Sequence, residues 1–190
     1  MKSVIAIVWT YNPDVETLSK CISSINMYVN RVFLIDNGSE KRLEIHKICS
    51  SFPNVEYIAI GFNSGVHALN VGIRLALQLD CDWILLLDDD TIIKPEAIKK
   101  VLEAYEKTCK TCTRVSLCDR IATIRIIGHV PKKLQRFKGS LVLLSHDLGT
   151  FSGTLIRADI LRENNIVIRE GFFLDQADFD FFNKLRKLDT

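Results

Sequence analysis

The sequence of 190 residues predicts an α/β fold with a Rossmann-type, mostly parallel central sheet and helices on both faces. Short apolar runs alternate with amphipathic stretches, which is typical of parallel strands joined by helical crossovers. Acidic or polar residues follow several of the apolar runs, at the edge where open α/β sheets bind ligands. The length suits one domain with a sizeable core, so we expect residues 1–190 to form a single domain.

The predicted strands are short apolar runs bounded by turn residues. The first, in SVIAIVWT, is rich in β-branched residues and ends before Pro13, which has no N–H to give to a sheet. The fourth is wholly apolar, as in a central strand that is covered on both faces. Because the crossovers between such strands are right-handed, the strands form a parallel sheet. The six predicted strands are Val4–Val8, Val32–Ile35, Val55–Ile60, Trp83–Leu87, Ile121–Ile127 and Thr154–Ile156.

The first three predicted helices have apolar residues at intervals of three and four positions. Asp14 can cap the first of them, and small residues in the third would let it lie close to the sheet. Two further helices are predicted over Pro95–Tyr105 and Arg157–Glu163. A polar, cysteine-rich loop is predicted over Lys107–Arg120, and Val130–Leu148 receives no assignment. The apolar positions are Leu18, Cys21, Ile22 and Ile25, then Leu43, Ile45, Ile48 and Cys49, then Ala68, Leu69, Gly72, Ile73 and Ala76.

Three consecutive acids follow the fourth predicted strand: Asp88, Asp89 and Asp90. Like charges at the mouth of an apolar core are costly unless a cation or a hydrogen-bonding ligand neutralises them, and oxygen ligands suit Mg²⁺ or Mn²⁺. We therefore interpret the cluster as a site for a metal ion and a diphosphate at the carboxyl edge of the sheet. The alternative is a solvated acidic turn before the helix that Pro95 helps to begin.

A second acidic cluster follows the apolar run Phe172–Leu174 and consists of Asp175, Asp178 and Asp180. If the first cluster holds an ion on a diphosphate, a carboxylate across the pocket could take a proton from an acceptor hydroxyl. We select Asp178 for that role, with Asp175 and Asp180 as rivals. The alternative is that all three are acids at a helix start, where the helix macrodipole favours them.

The formal net charge of +2 is too small to indicate a nucleic-acid partner or a membrane surface. The first strand begins almost at Met1, which leaves no room for a leader peptide, and no apolar stretch reaches membrane-spanning length. We therefore expect a cytoplasmic protein without a transmembrane segment.

Six cysteines are scattered along the chain. Cys21 and Cys81 lie on apolar faces or strand edges, where a reduced thiol packs as a small hydrophobic group. The pair Cys109-x₂-Cys112 has the spacing of a zinc knuckle, but only Cys118 follows, so a metal would need His129 or a distant ligand. We favour reduced loop thiols over zinc.

Six segments resemble, in order, the motifs of one enzyme family: VWTYNPD, FLIDNGS, NSGVHALNVGI, WILLLDDDTIIKP, FSGTLIRADIL and FFLDQADFDFFNKLR. In this order and spacing they are similar to the catalytic core of family 2 glycosyltransferases with the GT-A fold. The YNP and IDNGS forms are most similar to bacterial rhamnosyltransferases. The resemblance covers nearly the whole chain and implies one glycosyltransferase catalytic domain.

The resemblance also implies roles for individual residues. Asp88 and Asp90 would form the DxD motif that binds Mg²⁺ or Mn²⁺, with Asp90 as the direct ligand, and Asp178 would be the general base. Many relatives have a Glu-Asp pair here, whereas Ala177 precedes Asp178, so we assign the acceptor contact of the missing Glu to Asp175. The residues assigned to nucleotide-sugar binding are Thr10, Tyr11, Asp36, Asn63, Gly65, Asp88, Asp89, Ser152 and Gly153.

The reaction implied by the resemblance is an inverting transfer of a sugar from a nucleotide-diphosphate donor to an acceptor hydroxyl. The likeness to rhamnosyltransferases suggests rhamnose as the sugar. The acceptor would be a glycan or a lipid-linked precursor of a cell-surface polysaccharide, and a lipid-linked acceptor would be compatible with peripheral association with a membrane. Relatives continue beyond the last helix, so we expect a domain truncated at its C-terminal end.

Three other functions compete with this one. A nucleotide-sugar-binding module without transfer activity would keep the donor site and lack the acceptor machinery. A haloacid-dehalogenase-type phosphatase also has Asp-x-Asp after an apolar strand, but Ile92 stands where its motif has Thr or Val. A dinucleotide-binding dehydrogenase would have G-x-G-x-x-G after the first strand, where this chain has Tyr11, Asn12 and Pro13.

Overall fold

A computed structural model describes residues 2–111, 123–126 and 150–187 of the chain. The strands are β1 Val4–Thr10, β2 Arg31–Asp36, β3 Val55–Ala59, β4 Trp83–Asp88, β5 Thr123–Arg125 and β6 Thr154–Arg157. The helices are α1 Val15–Ile25, α2 Arg42–Cys49, α3 His67–Leu77, α4 Ala97–Thr111, α5 Ala158–Asn164 and α6 Ala177–Arg186, with a 3₁₀ turn over Glu170–Phe172.

The strands form one six-stranded sheet in the order β3-β2-β1-β4-β6-β5. β3, β2, β1 and β4 are parallel neighbours, whereas β6 is antiparallel to both β4 and β5. The predicted α/β fold with a mostly parallel sheet is therefore confirmed. The sheet order changes direction between β1 and β4, and open α/β sheets bind ligands at such a point.

Helices cover both faces of the sheet, and each face has its own hydrophobic cluster. One cluster lies under α3, α5 and α6, and the other lies under α1, α2 and α4. Alternate residues of β1 divide between them, because successive side chains of a strand point to opposite faces: Ile5 and Ile7 belong to the first cluster, and Ala6 and Val8 to the second. α3 approaches β1 closely at Gly72, where a Cβ would lie 2.5 Å from Ile7 Cγ2.

The predicted ends of strands and helices differ from those in the described residues by at most two positions, except at the end of α4. Residues 107–111, which were predicted as loop, belong to this helix, which continues to Thr111. The buried residues of α4, Ile98 and Leu102, lie in the part that was predicted as helix. The polar continuation stays helical because Glu106, Lys107 and Lys110 are good helix formers. Residues 112–122 and 127–149 lie outside the described residues. They include the rest of that predicted loop, both ends of the strand predicted over Ile121–Ile127, and the segment Val130–Leu148.

The cysteines of the core are reduced, as predicted, whereas Cys109 is not. Cys21 and Cys81 are buried and free, as is Cys49. Cys109 is disulfide-bonded, so the expectation of a reduced loop thiol is wrong for this residue, which lies in the last turns of α4 rather than in a loop. Cys112, Cys118 and His129, the other members of the candidate zinc group, lie outside the described residues.

None of the helices in the described ranges is long and apolar enough to cross a membrane.

Candidate active site

Three parallel strands end side by side at one edge of the sheet. Thr10, the last residue of β1, is the register partner of Asp36 at the end of β2. On the other side of β1, Trp9 is the register partner of Asp88, the last residue of β4. The sheet therefore brings the acid cluster after β4 next to the residues that follow β1 and β2.

Asp88 is held by hydrogen bonds on two sides. The indole N–H of Trp9 donates to Asp88 Oδ1 at 2.7 Å. The backbone N–H of Asp88 donates to Ser152 Oγ at 3.0 Å, and Ser152 Oγ lies 2.7 Å from Thr91 Oγ1. Since strand side chains alternate, Asp88 points to the same face as Trp9 and Leu86, which is the face under α6.

Asp89 bonds to a different partner from Asp88, and Asp90 is more exposed than both. The buried Thr10 donates a hydrogen bond through its hydroxyl to Asp89 Oδ2. Asp90 is exposed at the tip of the turn that follows β4. Tyr11, beside Thr10, is half exposed at the same edge.

The electrostatics of the cluster fit a cation. Burial raises the pKa of Asp88, and the charges of Asp90 and Asp178 add to this effect while the hydrogen bond from Trp9 opposes it. Burial also raises the pKa of Asp89, against the hydrogen bond from Thr10. Ionising these carboxyls is therefore costly, and a bound divalent ion would offset that cost.

The donor set is made of oxygens, which Mg²⁺ and Mn²⁺ prefer. Among the residues described, no three His, Cys, Asp or Glu side chains converge as a complete metal site. Asp88 and Asp90 therefore fit an ion that takes its remaining ligands from water and from a diphosphate, as Mg²⁺ commonly does.

Asp36, the last residue of β2, holds the following loop in place through hydrogen bonds. Its side chain is fully buried, Ser39 N–H donates to Oδ1 at 2.8 Å, and the Tyr57 hydroxyl donates to Oδ2 at 2.5 Å. Burial and this bond to Asp36 raise the pKa of Tyr57, which keeps the phenol protonated as a donor. Both carboxylate oxygens of Asp36 are thus used within the protein.

The buried Asn37 connects this loop to the segment before α3. Its Nδ2 donates to Asn63 Oδ1 at 3.0 Å and to the Gly65 carbonyl at 3.2 Å. Its Oδ1 accepts hydrogen bonds from the backbone N–H of Ser64 at 2.8 Å and from the Ser64 hydroxyl at 2.7 Å. Asn63 and Gly65 therefore lie on the same side of the site as Asp36.

Ser152 and Gly153 lie in the turn that leads into β6. The N–H of Gly153 donates to the carbonyl of Leu86 at 2.9 Å, which continues the pairing of β6 with β4 beyond the ladder. Gly153 has φ +78°, a conformation that favours glycine. This turn sets Ser152 against the backbone of Asp88.

The three acids of the second cluster have different surroundings. Asp178 is half buried in the first turn of α6, and its charge acts on Asp88. Asp180 instead forms ion pairs with Lys184 at 2.9 Å and Arg169 at 3.8 Å. Asp175 is exposed in the turn before α6. Of the three, Asp178 is the one whose charge helps to raise the pKa of Asp88, and it has no ion pair within the described part of the chain.

Residues 168–178, which we call the Asp178 segment, are attached to α3 by side-chain hydrogen bonds. The buried Asn70 donates to the Ile168 carbonyl at 2.8 Å and accepts from the Ile168 N–H at 3.0 Å. Asn70 Nδ2 also lies 2.9 Å from Glu170 Oε1, and His67 Nδ1 lies 2.9 Å from the same oxygen. These hydrogen bonds lower the pKa of Glu170.

A backbone contact completes the attachment. The N–H of Val66 donates to the Phe173 carbonyl at 2.7 Å, and a Cβ on Gly65 would lie 2.6 Å from that oxygen. Phe173 and Gln176 have positive φ values of 54° and 63°. The segment that delivers Asp178 is therefore packed against the loop that contains Gly65.

Three residues of this arrangement were missed by the sequence interpretation: Trp9, Asn70 and Glu170. The signal for Trp9 was an indole donor at the end of a strand whose predicted neighbour ends in acids. The signal for Asn70 was an amide among the apolar positions of a buried helix face, where a polar group needs partners. Glu170 gave no sequence signal, because its role depends on contacts with α3, about a hundred residues away.

Comparisons with known proteins identify the family of the chain. The family model described as glycosyl transferase family 2 matches residues 5–163. The chain is 31% identical to the dTDP-rhamnosyl transferase RfbF of Shigella flexneri, over 94% of this chain and 62% of that protein. It is 26% identical to hyaluronan synthase of Streptococcus pyogenes, over 85% of this chain and 43% of the synthase.

Solved structures share the fold. TarS 1–349 of S. aureus in complex with UDP superposes with a TM-score of 0.70 at 20% identity, over 97% of this chain and 55% of that fragment. The mannosyltransferase PcManGT of Pyrobaculum calidifontis, in complex with GDP-Man and Mn²⁺, has a TM-score of 0.60 at 15% identity, over 93% of this chain and 50% of that one. The fold is thus that of the GT-A glycosyltransferases, as expected. The chain spans less than two thirds of the length of each of these four proteins.

Proposed function

The chain belongs to glycosyl transferase family 2, and from that premise we propose that it transfers a sugar from a nucleotide-diphosphate donor to an acceptor hydroxyl with inversion at the anomeric carbon. The observation that supports this best is the relation between Asp88 and Asp178. These residues are far apart in sequence, yet the charge of Asp178 raises the pKa of Asp88. Two acidic groups that are close enough for one charge to act on the other would provide one position for the donor diphosphate and one for a base.

Asp178 would act as the general base. As the acceptor oxygen forms its bond to the anomeric carbon, the bond from that carbon to the diphosphate breaks, and the hydroxyl proton passes to the Asp178 carboxylate. Attack from the side opposite the leaving diphosphate inverts the anomeric configuration. Asp178 suits this role because its position at the start of α6 leaves it half buried, and because Lys184 and Arg169 pair with Asp180 instead.

Asp88 and Asp90 would hold Mg²⁺ or Mn²⁺, which when bound supplies positive charge to the departing diphosphate. Asp88 is fixed by Trp9 and by Ser152, whereas Asp90 is exposed and able to reach an ion above the strand ends. The raised pKa of Asp88 supports the assignment, because burial and neighbouring acids make a cation favourable there.

We call the carboxyl ends of β1, β2 and β4 the donor side. The donor nucleotide would lie over the ends of β1 and β2. Thr10, Tyr11, Asn63 and Gly65 lie there, and Asp36 would act by fixing the loop between them. Asp89, Ser152 and Gly153 would border the diphosphate and the sugar, and Asp175 would contact the acceptor. These residue roles are part of the proposal.

The proposed donor sugar is rhamnose, and the proposed acceptor is a glycan or lipid-linked precursor of a cell-surface polysaccharide. The similarity to the dTDP-rhamnosyl transferase RfbF supports this choice. A cytoplasmic location, where nucleotide sugars are made, is part of the same proposal. UDP-linked and GDP-linked sugars are the alternatives to be tested beside dTDP-rhamnose.

The test is hydrolysis of the donor in the absence of acceptor. The protein is incubated with Mn²⁺ and dTDP-rhamnose, UDP-GlcNAc or GDP-mannose, and the release of free nucleoside diphosphate is measured. Slow release from one of the donors, abolished by EDTA, is the expected result. Binding without release would instead indicate a nucleotide-sugar-binding module, and release of phosphate from monoesters would indicate a phosphatase. Either of these results would contradict the proposal.

A further inference from the structure

Within residues 2–111, 123–126 and 150–187, Trp9 makes the one side-chain hydrogen bond to the Asp88 carboxylate. The indole N–H lies 2.7 Å from Oδ1, and the two residues are direct register partners on neighbouring parallel strands. An indole nitrogen can only donate, so this contact requires an acceptor and favours the ionised carboxylate. The partner of the indole is therefore a charged oxygen in a fixed position.

The two strands hold this contact rigidly. Trp9 is half buried and packs against the hydrophobic cluster under α3 and α6, while the backbone N–H of Asp88 is tied to Ser152 Oγ at 3.0 Å. With its backbone and Oδ1 both engaged, Asp88 retains one carboxylate oxygen, Oδ2, for a further ligand. Metal ligands in proteins are commonly oriented by such hydrogen bonds from outside the coordination sphere.

We propose that Trp9 is a positioning residue for the metal-diphosphate site: its indole N–H fixes Asp88 so that Oδ2 is directed at the cation. This inference rests on the proposed function, because it assumes that Asp88 binds the ion. It goes further by assigning a role to a residue that would act on the ion through Asp88. Loss of an orienting hydrogen bond of this kind typically weakens metal affinity by about 10–100-fold.

The test compares Trp9→Phe with the matched variant Trp83→Phe. Trp83 is the other tryptophan of the chain and lies at the opposite end of β4, paired with Val4 and in edge-to-face contact with Tyr105. Mn²⁺ affinity is measured from free Mn²⁺ by electron paramagnetic resonance, with saturating dTDP or UDP. Affinity for the same nucleotide is measured separately in EDTA, and folding is checked by thermal unfolding.

In Trp9→Phe we expect Mn²⁺ affinity to fall by at least about tenfold, while metal-free nucleotide affinity stays within about twofold. In Trp83→Phe we expect Mn²⁺ affinity to be unchanged even if the protein is less stable. Unchanged Mn²⁺ affinity in Trp9→Phe would overturn the inference. So would an equal loss of nucleotide affinity in EDTA, because that result would mean that Trp9 only packs the site.

A second measurement does not depend on the folding of Trp9→Phe. In Trp83→Phe, Trp9 is the sole tryptophan, so paramagnetic Mn²⁺ bound with nucleotide should quench its fluorescence, whereas Mg²⁺ should not. Absence of quenching at saturating Mn²⁺ would overturn the inference.

The variants Asp88→Asn and Asp90→Ala separate this inference from the proposed function. If both lose Mn²⁺ affinity while Trp9→Phe keeps it, only the role of Trp9 fails. If both bind Mn²⁺ as the unaltered protein does, the metal-diphosphate site itself fails.

Discussion

The donor side of the site and the Asp178 segment are built in different ways. On the donor side, Thr10, Asp36 and Asp88 end strands that are paired in one parallel sheet, so the backbone ladder fixes them. The Asp178 segment has no strand, contains two residues with positive φ, and depends on side-chain bonds to α3. A glycosyltransferase site of this kind can thus combine a rigid half with a half whose position depends on a few contacts, and substitutions should affect the two halves differently.

The largest effect should come from Asp178→Asn, which removes the proposed base and keeps its shape. We expect the transfer rate to fall by about 10²–10⁴-fold, the usual contribution of general base catalysis. Nucleotide affinity should stay within about twofold, since the donor side is unaltered. The measurements are steady-state transfer and nucleotide titration in Mn²⁺.

The matched control is Asp180→Asn, two residues further along α6. Its carboxylate pairs with Lys184 and Arg169, so this change should reduce stability slightly and leave transfer largely intact. Equal transfer rates in Asp178→Asn and the unaltered protein would remove the assignment of the base.

The next largest effect should come from Gly65→Ala, which tests how closely the two halves pack. Gly65 has φ +59°, and a Cβ there would lie 2.6 Å from the Phe173 carbonyl oxygen and 2.7 Å from the Phe173 ring. The control Gly61→Ala also has a positive φ, +94°, but its Cβ would meet nothing within 4 Å. Both variants should lose about 1–2 kcal/mol from the unfavourable φ.

Gly65→Ala alone should lose about 1–3 kcal/mol more through overpacking. Because the clash displaces the Asp178 segment, we also expect transfer to fall further in Gly65→Ala than in Gly61→Ala, with less difference in nucleotide affinity. Equal losses of stability and transfer in the two variants would show that the halves do not depend on this contact.

A smaller effect is expected from Asn70→Ala, which removes the attachment of Ile168 to α3. The N–H and carbonyl of Ile168 would lose their partners in a buried position, so the free energy of unfolding should fall by about 1–3 kcal/mol. The control Asn164→Ala changes an exposed residue, so the free energy of unfolding should change by no more than about 0.5 kcal/mol. Denaturant unfolding measures both, and equal changes would contradict the attachment.

The same contrast explains how much the sequence could predict. The donor side was predictable, because apolar runs followed by acids place Asp36 and Asp88 at strand ends through local pattern alone. The parallel sheet then follows from the alternation of strands and helices. Asp178 was selected as the candidate base with Asp175 and Asp180 as rivals, and the resemblance added support, since the local sequence does not separate the three acids. Contacts with other parts of the chain separate the three acids: Lys184 and Arg169 pair with Asp180, and the charge of Asp178 helps to raise the pKa of Asp88.

The buried state of Asp36 was also beyond local pattern. The sequence indicated an acid at a strand end, which is equally consistent with an open binding pocket. Whether such an acid faces a ligand or the protein depends on what lies beside it, and here Tyr57 from β3 and the N–H of Ser39 take both oxygens. Similarly, α4 extends past its predicted end to Thr111, because Glu106, Lys107 and Lys110 are good helix formers although they make the segment polar.

The smallest effect is expected from substitutions of two acids at opposite ends of β4, Asp88 and Asp82. At the carboxyl end, burial, Asp90 and Asp178 raise the pKa of Asp88. Before the amino end, burial would raise the pKa of Asp82, but hydrogen bonds from Ser3 and the ion pair with Lys2 outweigh it and lower the pKa. Opposite pKa shifts give opposite contributions to stability. The sign of each contribution depends on whether the folded or the unfolded state releases the proton at lower pH.

For Asp88, the unfolded chain releases its proton first, so stability falls as the pH rises from about 3.8 through the raised pKa of the folded state. Asp88→Asn should therefore raise the melting temperature at pH 7 without metal, by about 2–4 °C per kcal/mol gained. Asp82 contributes stability above about pH 3.8 that is lost as the pH falls through its lowered pKa, so Asp82→Asn should lower the melting temperature at pH 7.

The difference in melting temperature between each variant and the unaltered protein should shrink at pH 3. At this pH the carboxyls that these substitutions replace are largely protonated in the unfolded chain. Mn²⁺ with nucleotide should then stabilise the unaltered protein at pH 7 more than it stabilises Asp88→Asn, because the cation relieves the charge that the substitution removes. A drop in melting temperature for Asp88→Asn equal to that of Asp82→Asn would show that Asp88 stabilises the sheet rather than serving a bound ion.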